Sequence, residues 1–433
     1  MVRYLNSDIC ECGKVHTIAV DEVIIGSGAI KRLPEILKRY NAVKPFLLAD
    51  CKTFAAASEI VCKQLINYSK YVFELDCLEP DERAVGSAVM HFDNSCDIII
   101  GIGSGVINDI GKILSNITGR KYIIVATAPS MDGYASATSS MSMDGLKVSL
   151  NSRCADVIIG DTDILKCAPL YMLKAGLGDM LAKYVSIAEW RIAHIITGEY
   201  YCEQVAHLIR NALKKCVDNA TGLLQRDVKA VEAVFEGLVI GGVAMAYAGV
   251  SRPASGVEHY FSHIWDMRGL EFGTQVDLHG IQCAVATLQS VKLYEFIKKI
   301  KPNAEKAKAY VDRFCYEVWK EQLRNFLGNS AETMIAQESR ERKYNKESHP
   351  ARFARIAENW DAIVDILNEE LPTSTELKRI LQTIGISADL QDLGVDSDTA
   401  KLTFQATKDI RDKYVLSRLA WDLGVMDELC ALL

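Results

Sequence analysis

Residues 97–112 read DIIIGIGSGVINDIGK, and this stretch decides the fold class. Its run of isoleucines is short and wholly apolar, which is typical of a buried parallel strand. The glycines that follow, Gly101, Gly103 and Gly105, permit a tight turn and a close approach of the backbone to a ligand. We interpret the segment as a strand, a glycine-rich turn and the start of a helix, the arrangement that doubly wound α/β domains use for nucleotides.

Apolar runs and helical stretches alternate on both sides of this segment. Strands are predicted at residues 22–25, 46–49, 71–75, 97–100 and 122–126, with helices between them. Apolar strands separated by helices are typical of a parallel sheet covered on both faces. Beyond Asp161 such runs nearly vanish, and apolar residues recur at the spacing of helices. We therefore predict an α/β dinucleotide-binding domain over residues 1–165 and a helical domain over residues 166–433.

The composition excludes several classes of protein. Of 433 residues, 49% are apolar and 24% are charged, as in a folded globular chain rather than a disordered, collagen-like or coiled-coil one. A formal charge of −7 without a basic stretch argues against a nucleic-acid partner. We expect no signal peptide, and we expect the longest apolar run, 238–250, to be a buried helix. Thirteen cysteines favour a reducing cytoplasm over a disulfide framework.

The glycine turn is the first candidate binding site. Its exposed amides and the helix dipole suit an anion such as a pyrophosphate. The spacing is G-x-G-x-G rather than G-x-G-x-x-G, so a tight turn without a ligand remains an alternative. Asp50, at the end of the second predicted strand, either accepts hydrogen bonds from an adenosine ribose or simply caps the next helix.

A second candidate is the hydroxyl-rich segment that follows the fifth predicted strand, residues 127–140. Asp132 is its one charged residue and could orient a substrate hydroxyl. Thr127, Ser130 and Ser136 could contact a cofactor ribose or carboxamide. The alternative is a serine-rich loop whose side chains satisfy their own backbone.

Histidines and one carboxylate in the helical half suggest a metal site. His259 and His263 lie four residues apart, hence on one helical face, and His279 follows sixteen residues later. Asp179 lies in the earlier segment GLGDMLAK. One carboxylate and two imidazoles can hold a catalytic divalent ion with positions open for substrate. The alternative is a set of histidines that are hydrogen-bonded in the core.

Cys10, Cys12 and His16, in CECGKVH, suggest zinc more weakly. Only three candidate ligands are visible there. The default interpretation is a reduced surface turn.

Taken together, five motifs in order resemble one family, that of the sn-glycerol-1-phosphate dehydrogenases. This family belongs to the superfamily of metal-dependent alcohol dehydrogenases, glycerol dehydrogenases and dehydroquinate synthases. The motifs are GIGSGVINDIGK, TAPSMDGYASATSS, GLGDMLAKY, SRPASGVEHYFSH and LHGIQCAVAT. CECGKVH and the C-terminal RDKYVLSRLAWDLG resemble the longer bacterial branch. The resemblance implies a dehydroquinate synthase-like fold, an α/β N-terminal domain followed by an all-α C-terminal domain that binds metal and substrate.

The resemblance also implies roles for individual residues. The implied ligands of NAD(H) or NADP(H) are Asp50, Gly103, Ser104, Gly105, Val106, Ile107, Asn108, Asp109, Thr127, Ala128, Pro129, Ser130 and Ser136. The implied ligands of one divalent ion, zinc or nickel, are Asp179, His259 and His279. Asp132, Asp179 and His263 match catalytic, substrate-contacting positions. Lys183 stands where iron-type alcohol dehydrogenases often have a fourth ligand histidine, which argues against a four-ligand iron site.

The implied reaction is reversible hydride transfer between nicotinamide C4 and C2 of dihydroxyacetone phosphate, giving sn-glycerol 1-phosphate. Lys147, Lys183 and Arg252 are candidates for the substrate phosphate, although each could equally form a structural ion pair. Alternatives are a glycerol or other polyol dehydrogenase, a dehydroquinate synthase-like cyclase, and a non-catalytic metal- or nucleotide-binding regulator. We expect a cytoplasmic enzyme that acts on a small molecule, forms a homodimer or higher homo-oligomer, and has no membrane span.

Overall fold

The computed structural model describes residues 9–75, 78–143 and 146–433. The chain divides into two compact units. The first unit comprises Met1–Met180 and Glu203–Val250, and the second comprises Leu181–Cys202 and Ser251–Leu433.

The described residues form eight strands and twenty α-helices. The strands are β1 Glu22–Gly26, β2 Pro45–Asp50, β3 Ser69–Phe73, β4 Ile98–Gly103, β5 Lys121–Ala126, β6 Thr138–Met143, β7 Leu146–Asn151 and β8 Val157–Asp161. The first ten helices are α1 Leu33–Arg39, α2 Cys51–Cys62, α3 Glu82–Met90, α4 Gly105–Thr118, α5 Thr162–Leu165, α6 Leu170–Leu181, α7 Lys183–Thr197, α8 Glu203–Asp218, α9 Val228–Ala248 and α10 Val257–Phe272. The remaining ten are α11 His279–Ile297, α12 Ala304–Asp312, α13 Tyr316–Leu327, α14 Ser330–Glu341, α15 His349–Glu358, α16 Trp360–Glu370, α17 Ser374–Thr383, α18 Ser397–Thr407, α19 Leu416–Leu423 and α20 Met426–Cys430.

A six-stranded, all-parallel sheet forms the centre of the first unit, in the order β1-β8-β5-β4-β2-β3. Every residue of β4 is buried, as expected for a central strand covered on both faces. The five predicted strands all occur, which confirms the doubly wound α/β fold. Three strands were not predicted from the sequence. Of these, β8 completes the parallel sheet, whereas β6 and β7 form a separate antiparallel hairpin.

Helix α9 belongs to the core of the first unit. By length and composition it could cross a membrane, but 78% of its most apolar window is buried inside the protein. A Cβ added to Gly160 of β8 would lie 2.1 Å from the ring of Phe235 on α9. The sheet thus leaves room for this ring by carrying glycine at the contact. The run 238–250 is therefore part of a buried core helix.

The sequence predicts one domain boundary after residue 165, and the structure divides the chain differently. Residues 166–180 and 203–250 group with the sheet, whereas residues 181–202 group with the later helices. The reason is the packing of α9 on the sheet, which a boundary drawn from strand content alone does not register.

The second unit is built from helices throughout its described residues. Helices α10 and α11 pack against one another. The first half of α10 and most of α11 are buried. Together they carry the three histidines that the sequence singles out.

We expect Gly160→Ala to destabilise the first unit, because the new methyl group would displace the Phe235 ring. Overpacking of this kind costs about 1–3 kcal/mol. Gly86→Ala is the matched control, since the added Cβ meets nothing within 4 Å and lies within helix α3. That change should stabilise the protein by about 0.5–1 kcal/mol. Urea unfolding of both variants measures the difference, and equal midpoints would contradict the proposed packing.

Candidate functional site

The glycine turn joins β4 directly to α4. Ser104 occupies the N-cap position, but its side chain makes no capping hydrogen bond. A Cβ on Gly103 would lie 2.4 Å from Cβ of Ile107, so the turn requires glycine there. A Cβ on Gly105 would meet only the Met131 side chain, at 3.3 Å. A helix start without a side-chain cap presents amides and a positive dipole end to an anion, which is what a pyrophosphate needs.

Asp50 caps helix α2, which is one of the two roles that the sequence left open. Its Oδ1 accepts hydrogen bonds from the amides of Lys52 and Thr53, both at 2.9 Å. The Thr53 hydroxyl in turn accepts from the amide of Asp50 at 3.2 Å, which completes a capping box. Both bonds to the carboxylate use Oδ1, so the capping role leaves Oδ2 as an acceptor for a ligand.

Helix α4 holds the hydroxyl-rich segment through one buried lysine. The ammonium of Lys112 donates to the carbonyl oxygens of Gly133, at 3.3 Å, and Thr138, at 2.5 Å, and pairs with Asp109 at 2.8 Å. Nδ2 of Asn108 donates to Gly133 O at 3.1 Å. Oδ1 of Asn108 is buried and has no hydrogen-bond partner among the described residues. This orphaned acceptor beside the start of α4 supports a ligand there.

The same segment also satisfies much of its own backbone. The hydroxyl of Tyr134 donates to Ala128 O at 2.6 Å, and Ser136 Oγ lies 2.8 Å from Thr138 Oγ1 and accepts from the amide of Thr138. The amide of Thr127 donates to Gly103 O at 3.1 Å, which joins this segment to the glycine turn. Ser136 therefore fits the alternative given by the sequence, a serine-rich loop whose side chains bond to its own backbone.

Two acidic residues predicted from sequence lie together in the first unit. Asp179, on α6, is fully buried, and its Oδ2 accepts a hydrogen bond of 2.9 Å from the backbone amide of Asp132. One turn before it, a Cβ on Gly176 would lie 1.9 Å from Pro129 O, so glycine permits the close approach of α6 to the loop. The side chain of Asp132 lies beside Gly241 of α9.

The three histidines form a cluster in the second unit. His259 and His263 lie on α10, and His279 is the first residue of α11. The centroids of the His259 and His279 rings are 5.0 Å apart, and those of His263 and His279 are 5.7 Å apart. The sequence spacing had predicted a common face for the first two, and helix packing brings the third to them.

Hydrogen bonds orient two of these rings as metal ligands are oriented. Nδ1 of His259 lies 2.8 Å from Oε1 of Glu258, and Nδ1 of His279 lies 2.8 Å from the Ser262 hydroxyl. Partners at Nδ1 make Nε2 the nitrogen that can bind an ion. Cys283 was not singled out from the sequence, although it lies one helical turn after His279. Its Sγ is 3.5 Å from His279 Nε2, and it groups with the two imidazoles.

Two buried acids support the start of α10. Glu258 accepts from the amide of Gly256 at 2.7 Å, and Glu189 Oε2 accepts from the amide of Val257 at 2.9 Å. Glu189 Oε1 also accepts from the hydroxyl of Tyr294 at 2.9 Å. Burial and the neighbouring Glu258 raise the pKa of Glu189 to about 8. A Cβ at residue 256 would lie 2.5 Å from Glu189 Oε2, so glycine is required between the two carboxylates.

The predicted phosphate-binding cations have other contacts. Arg252 is buried and forms a two-pronged ion pair with Glu199, with nitrogen–oxygen distances of 2.6 and 2.5 Å. Lys183 is buried and donates to Ala254 O at 2.9 Å. Both residues thus have the structural roles that the sequence left open. Lys147 lies in β7, and its side chain falls outside the described part of the chain.

A different lysine lies close to the histidine cluster. Nζ of Lys413 donates to the carbonyl and the hydroxyl of Ser255, at 2.8 and 2.7 Å, and lies 5.8 Å from the ring centroid of Tyr260. Burial, Arg252 and Arg411 lower the pKa of Lys413 to about 7. Burial, followed by the positive charge of Arg411, holds the pKa of His263 well below its usual range.

The Tyr260 hydroxyl adds to this group. It is buried and, among the described residues, has no hydrogen-bond partner. A lysine whose pKa is lowered by burial and by two guanidinium groups, beside a buried hydroxyl without a partner among the described residues, is a candidate site for an anion. The only sequence signal was a pair of basic residues in the C-terminal motif RDKY, more than a hundred residues after the histidines.

Comparisons with known proteins show what the chain is similar to. The model of the family described as iron-containing alcohol dehydrogenase matches residues 24–169. A glycerol-1-phosphate dehydrogenase [NAD(P)+] from Halalkalibacterium halodurans is 33% identical over 294 residues, covering 66% of this chain and 74% of the relative. One of the same name from Geobacillus stearothermophilus is 28% identical over 412 residues, covering 93% and 92%. A solved probable glycerol dehydrogenase from Sinorhizobium meliloti has a TM-score of 0.60 at 17% identity, covering 95% and 97%, which shows the shared fold.

We expect Lys112→Met to loosen the hydroxyl-rich segment, because two carbonyl groups and Asp109 would lose a buried cation. Removing one partner of a buried ion pair costs about 3–5 kcal/mol. Hydrogen exchange of residues 127–136 should become faster than in the parent protein. Lys63→Met, at an exposed pair on α2, is the control and should leave that segment unchanged. Unaltered exchange in Lys112→Met would show that another contact holds the loop.

Proposed function

We propose, since this chain belongs to the glycerol-1-phosphate dehydrogenase family, that it catalyses the NAD(P)-dependent, metal-dependent reduction of dihydroxyacetone phosphate to sn-glycerol 1-phosphate. The reaction is a reversible hydride transfer between nicotinamide C4 and substrate C2. The single observation that carries this proposal is the pair of imidazoles, His259 and His279, whose Nδ1 atoms are both engaged and whose rings lie 5.0 Å apart. Such a pair is built to bind an ion.

We assign the catalytic metal to Asp179, His259 and His279. The donor set of one carboxylate and two imidazoles suits zinc or nickel. When bound, the ion supplies Lewis-acid polarisation of the substrate carbonyl. Glu258 and Ser262 act as positioning residues, since their contacts with Nδ1 orient the two rings. The Glu258 carboxylate can only accept, so it also fixes the tautomer of His259.

We assign the nicotinamide cofactor to the first unit. The first-turn amides of α4 and the orphaned Oδ1 of Asn108 would bind the pyrophosphate region, and Thr127 and Ser130 would contact the nicotinamide half. Asp50, through Oδ2, would accept from the adenosine ribose. A carboxylate at this position repels a 2′-phosphate, so we expect NADH to be preferred over NADPH.

We assign the substrate hydroxyl groups to Asp132 and His263. The Asp132 carboxylate would accept a hydrogen bond from the terminal hydroxyl of the triose. His263 is held neutral by its surroundings, so it can donate a hydrogen bond from one ring nitrogen and accept one at the other. Either residue can then pass a proton to or from the C2 oxygen.

We assign the substrate phosphate to Lys413 and Arg411, with the Tyr260 hydroxyl as an additional donor. Lys183 and Arg252, two of the candidates from sequence, have structural contacts instead. Lys147 stays a prediction from the sequence. The supporting observations are the contacts of Lys413 with Ser255 and the Tyr260 ring, and the lowering of its pKa by burial, Arg252 and Arg411, which a bound dianion would offset. If Lys413 and Arg411 bind the phosphate and Asp132 binds the terminal hydroxyl, a single face of C2 would meet the hydride. That constraint gives one enantiomer of glycerol phosphate.

Cytoplasmic location and assembly into a homodimer or higher homo-oligomer stay predictions from the sequence.

The substrate assignment is tested by following NADH absorbance with dihydroxyacetone phosphate, dihydroxyacetone and, in the reverse direction, glycerol. We expect the phosphorylated triose to be strongly preferred, because the cationic group stabilises its phosphate. The product should be inert to a coupling enzyme specific for sn-glycerol 3-phosphate. Preference for free glycerol would instead support a polyol dehydrogenase, and formation of the 3-phosphate would contradict the assigned geometry.

His259→Ala and His279→Ala should each abolish tight binding of the divalent ion and the activity, because two ligands hold a catalytic ion poorly. Elemental analysis after gel filtration should show the loss of one divalent ion per chain relative to the parent protein, and circular dichroism separates this loss from unfolding. His207→Ala, on the exposed face of α8, is the control and should keep the ion. Full occupancy of the catalytic position in both active-site variants would refute the ligand assignment.

Lys413→Met should raise the KM for dihydroxyacetone phosphate about tenfold to a hundredfold, which corresponds to one charged hydrogen bond of about 1.5–3 kcal/mol. Turnover of unphosphorylated dihydroxyacetone should change little, because that substrate lacks the phosphate. Lys401→Met, on the exposed side of α18, serves as the matched control. An equal loss with both substrates would assign Lys413 a structural role only.

A further inference from the structure

The N-terminal segment 9–16 forms a tight hairpin that the proposed reaction does not use. Ile9 and Val15 pair as an antiparallel bridge. Within it the amide of Cys10 donates to Lys14 O at 2.9 Å, and the amide of Gly13 donates to Cys10 O at 2.8 Å. Gly13 has a φ of 82°, a conformation that favours glycine. The chain thus reverses direction at Gly13, with both cysteines before the turn and the histidine after it.

Three soft donor atoms meet at this hairpin. The ligand atoms of Cys10, Cys12 and His16 all lie within 4.8 Å of one another. Sγ of Cys12 is 3.4 Å from Nε2 of His16. A tetrahedral zinc ion, with Zn–S near 2.3 Å and Zn–N near 2.05 Å, separates sulfur from nitrogen by about 3.5 Å. The observed spacing is thus that of two ligands of one zinc ion.

The tautomer of His16 is fixed by a backbone contact. Its Nδ1 lies 3.1 Å from the carbonyl oxygen of Tyr247, at the end of α9, and its ring is buried. A carbonyl oxygen only accepts, so Nδ1 carries the proton and Nε2 presents its lone pair toward Cys12. This is how the ring of a ligating histidine is usually held, with its other nitrogen bonded to a carbonyl or carboxylate.

A second contact anchors the hairpin to the same helix. The ammonium of Lys14 donates to Ala248 O at 3.2 Å, and the ring of His16 packs 5.5 Å from that of Tyr247. These contacts satisfy carbonyl groups of the last turn of α9, which otherwise lack partners within the helix. The donor group therefore rests on a buried core helix rather than on an exposed tail.

We propose that Cys10, Cys12 and His16 bind a structural zinc ion, distinct from the catalytic metal. Two thiolates and one imidazole select zinc over the harder cations. Binding displaces the two thiol protons to solvent and leaves the fourth position of the ion to a further ligand. The ion cross-links the two sides of the hairpin, and the hydrogen bond of His16 to Tyr247 O joins the hairpin to the end of α9. This site does not depend on the proposed reaction.

The test measures zinc in the full-length protein, purified with a reducing agent and loaded with zinc before gel filtration. The background is His259→Ala/His279→Ala, which removes the catalytic ion. We expect one zinc ion per chain to remain, and X-ray absorption at the zinc edge to show at least two sulfur ligands and one nitrogen. A shell of oxygen and nitrogen alone, or no retained zinc, would overturn the proposal, and neither result bears on the substrate assignment.

Variants locate the ion. Cys10→Ser/Cys12→Ser and His16→Gln should each lose the retained zinc, whereas Cys167→Ser, an exposed cysteine of the same unit, should keep it. Zinc retained in full by Cys10→Ser/Cys12→Ser would overturn the assignment, as would a Cys10–Cys12 disulfide found by mass spectrometry in the reduced, purified protein. If the hairpin variants fail to fold, the zinc spectrum of the His259→Ala/His279→Ala protein decides between the outcomes, because that protein keeps the hairpin intact.

Discussion

The hydrogen bond between Glu258 and His259 is the contact on which the proposed chemistry depends. A carboxylate buried without any partner would be too costly to keep. Oε1 of Glu258 accepts from the amide of Gly256 and from the ring of His259, whereas Oε2 has no partner among the described residues. Glu189, also buried, uses the amide of Val257 and the hydroxyl of Tyr294 in the same way. The result is a rigid start to α10, from which His259 presents Nε2 in a fixed direction. A histidine free to rotate would bind an ion far less well.

In the first unit, two glycines and one lysine allow close packing at the sheet and around the glycine turn. A sheet that carries a glycine at its contact with α9 can accept the Phe235 ring, and a turn with glycine at residue 103 can pass straight into α4. Lys112 then replaces solvent for the carbonyl groups of the loop beside that turn. The glycine turn and Lys112 leave the first amides of α4 and the polar side chains of the loop at the end of the parallel strands, where such sheets bind ligands.

Much of this was predictable from local pattern. Apolar runs gave the strands, glycine spacing gave the turn at Gly105, and the four-residue interval gave the shared face of His259 and His263. Pairings across long stretches of sequence were not predictable. Arg252 looked like a phosphate ligand because nothing local revealed Glu199, fifty-three residues earlier.

Other features were missed for the same physical reason. Lys413 is distant in sequence from the histidines, so only tertiary packing brings it to Tyr260. The strands β6 and β7 lie outside the parallel sheet, and polar residues fill most of β6 and alternate positions of β7. They therefore lack the continuous apolar run that identified the other strands. The two roles that the sequence left open for Asp50 do not exclude one another. The bonds that cap α2 use Oδ1, and the proposed bond from a ribose would use Oδ2.

The central claim is that one divalent ion binds to Asp179, His259 and His279. Anomalous X-ray scattering at the zinc or nickel edge, from crystals grown with the ion and NADH, tests it most directly. The account predicts a peak about 2.0–2.2 Å from Nε2 of both histidines and from a carboxylate oxygen of Asp179. A peak on Nδ1 of either ring, or an ion bound by Cys283 without Asp179, would contradict it.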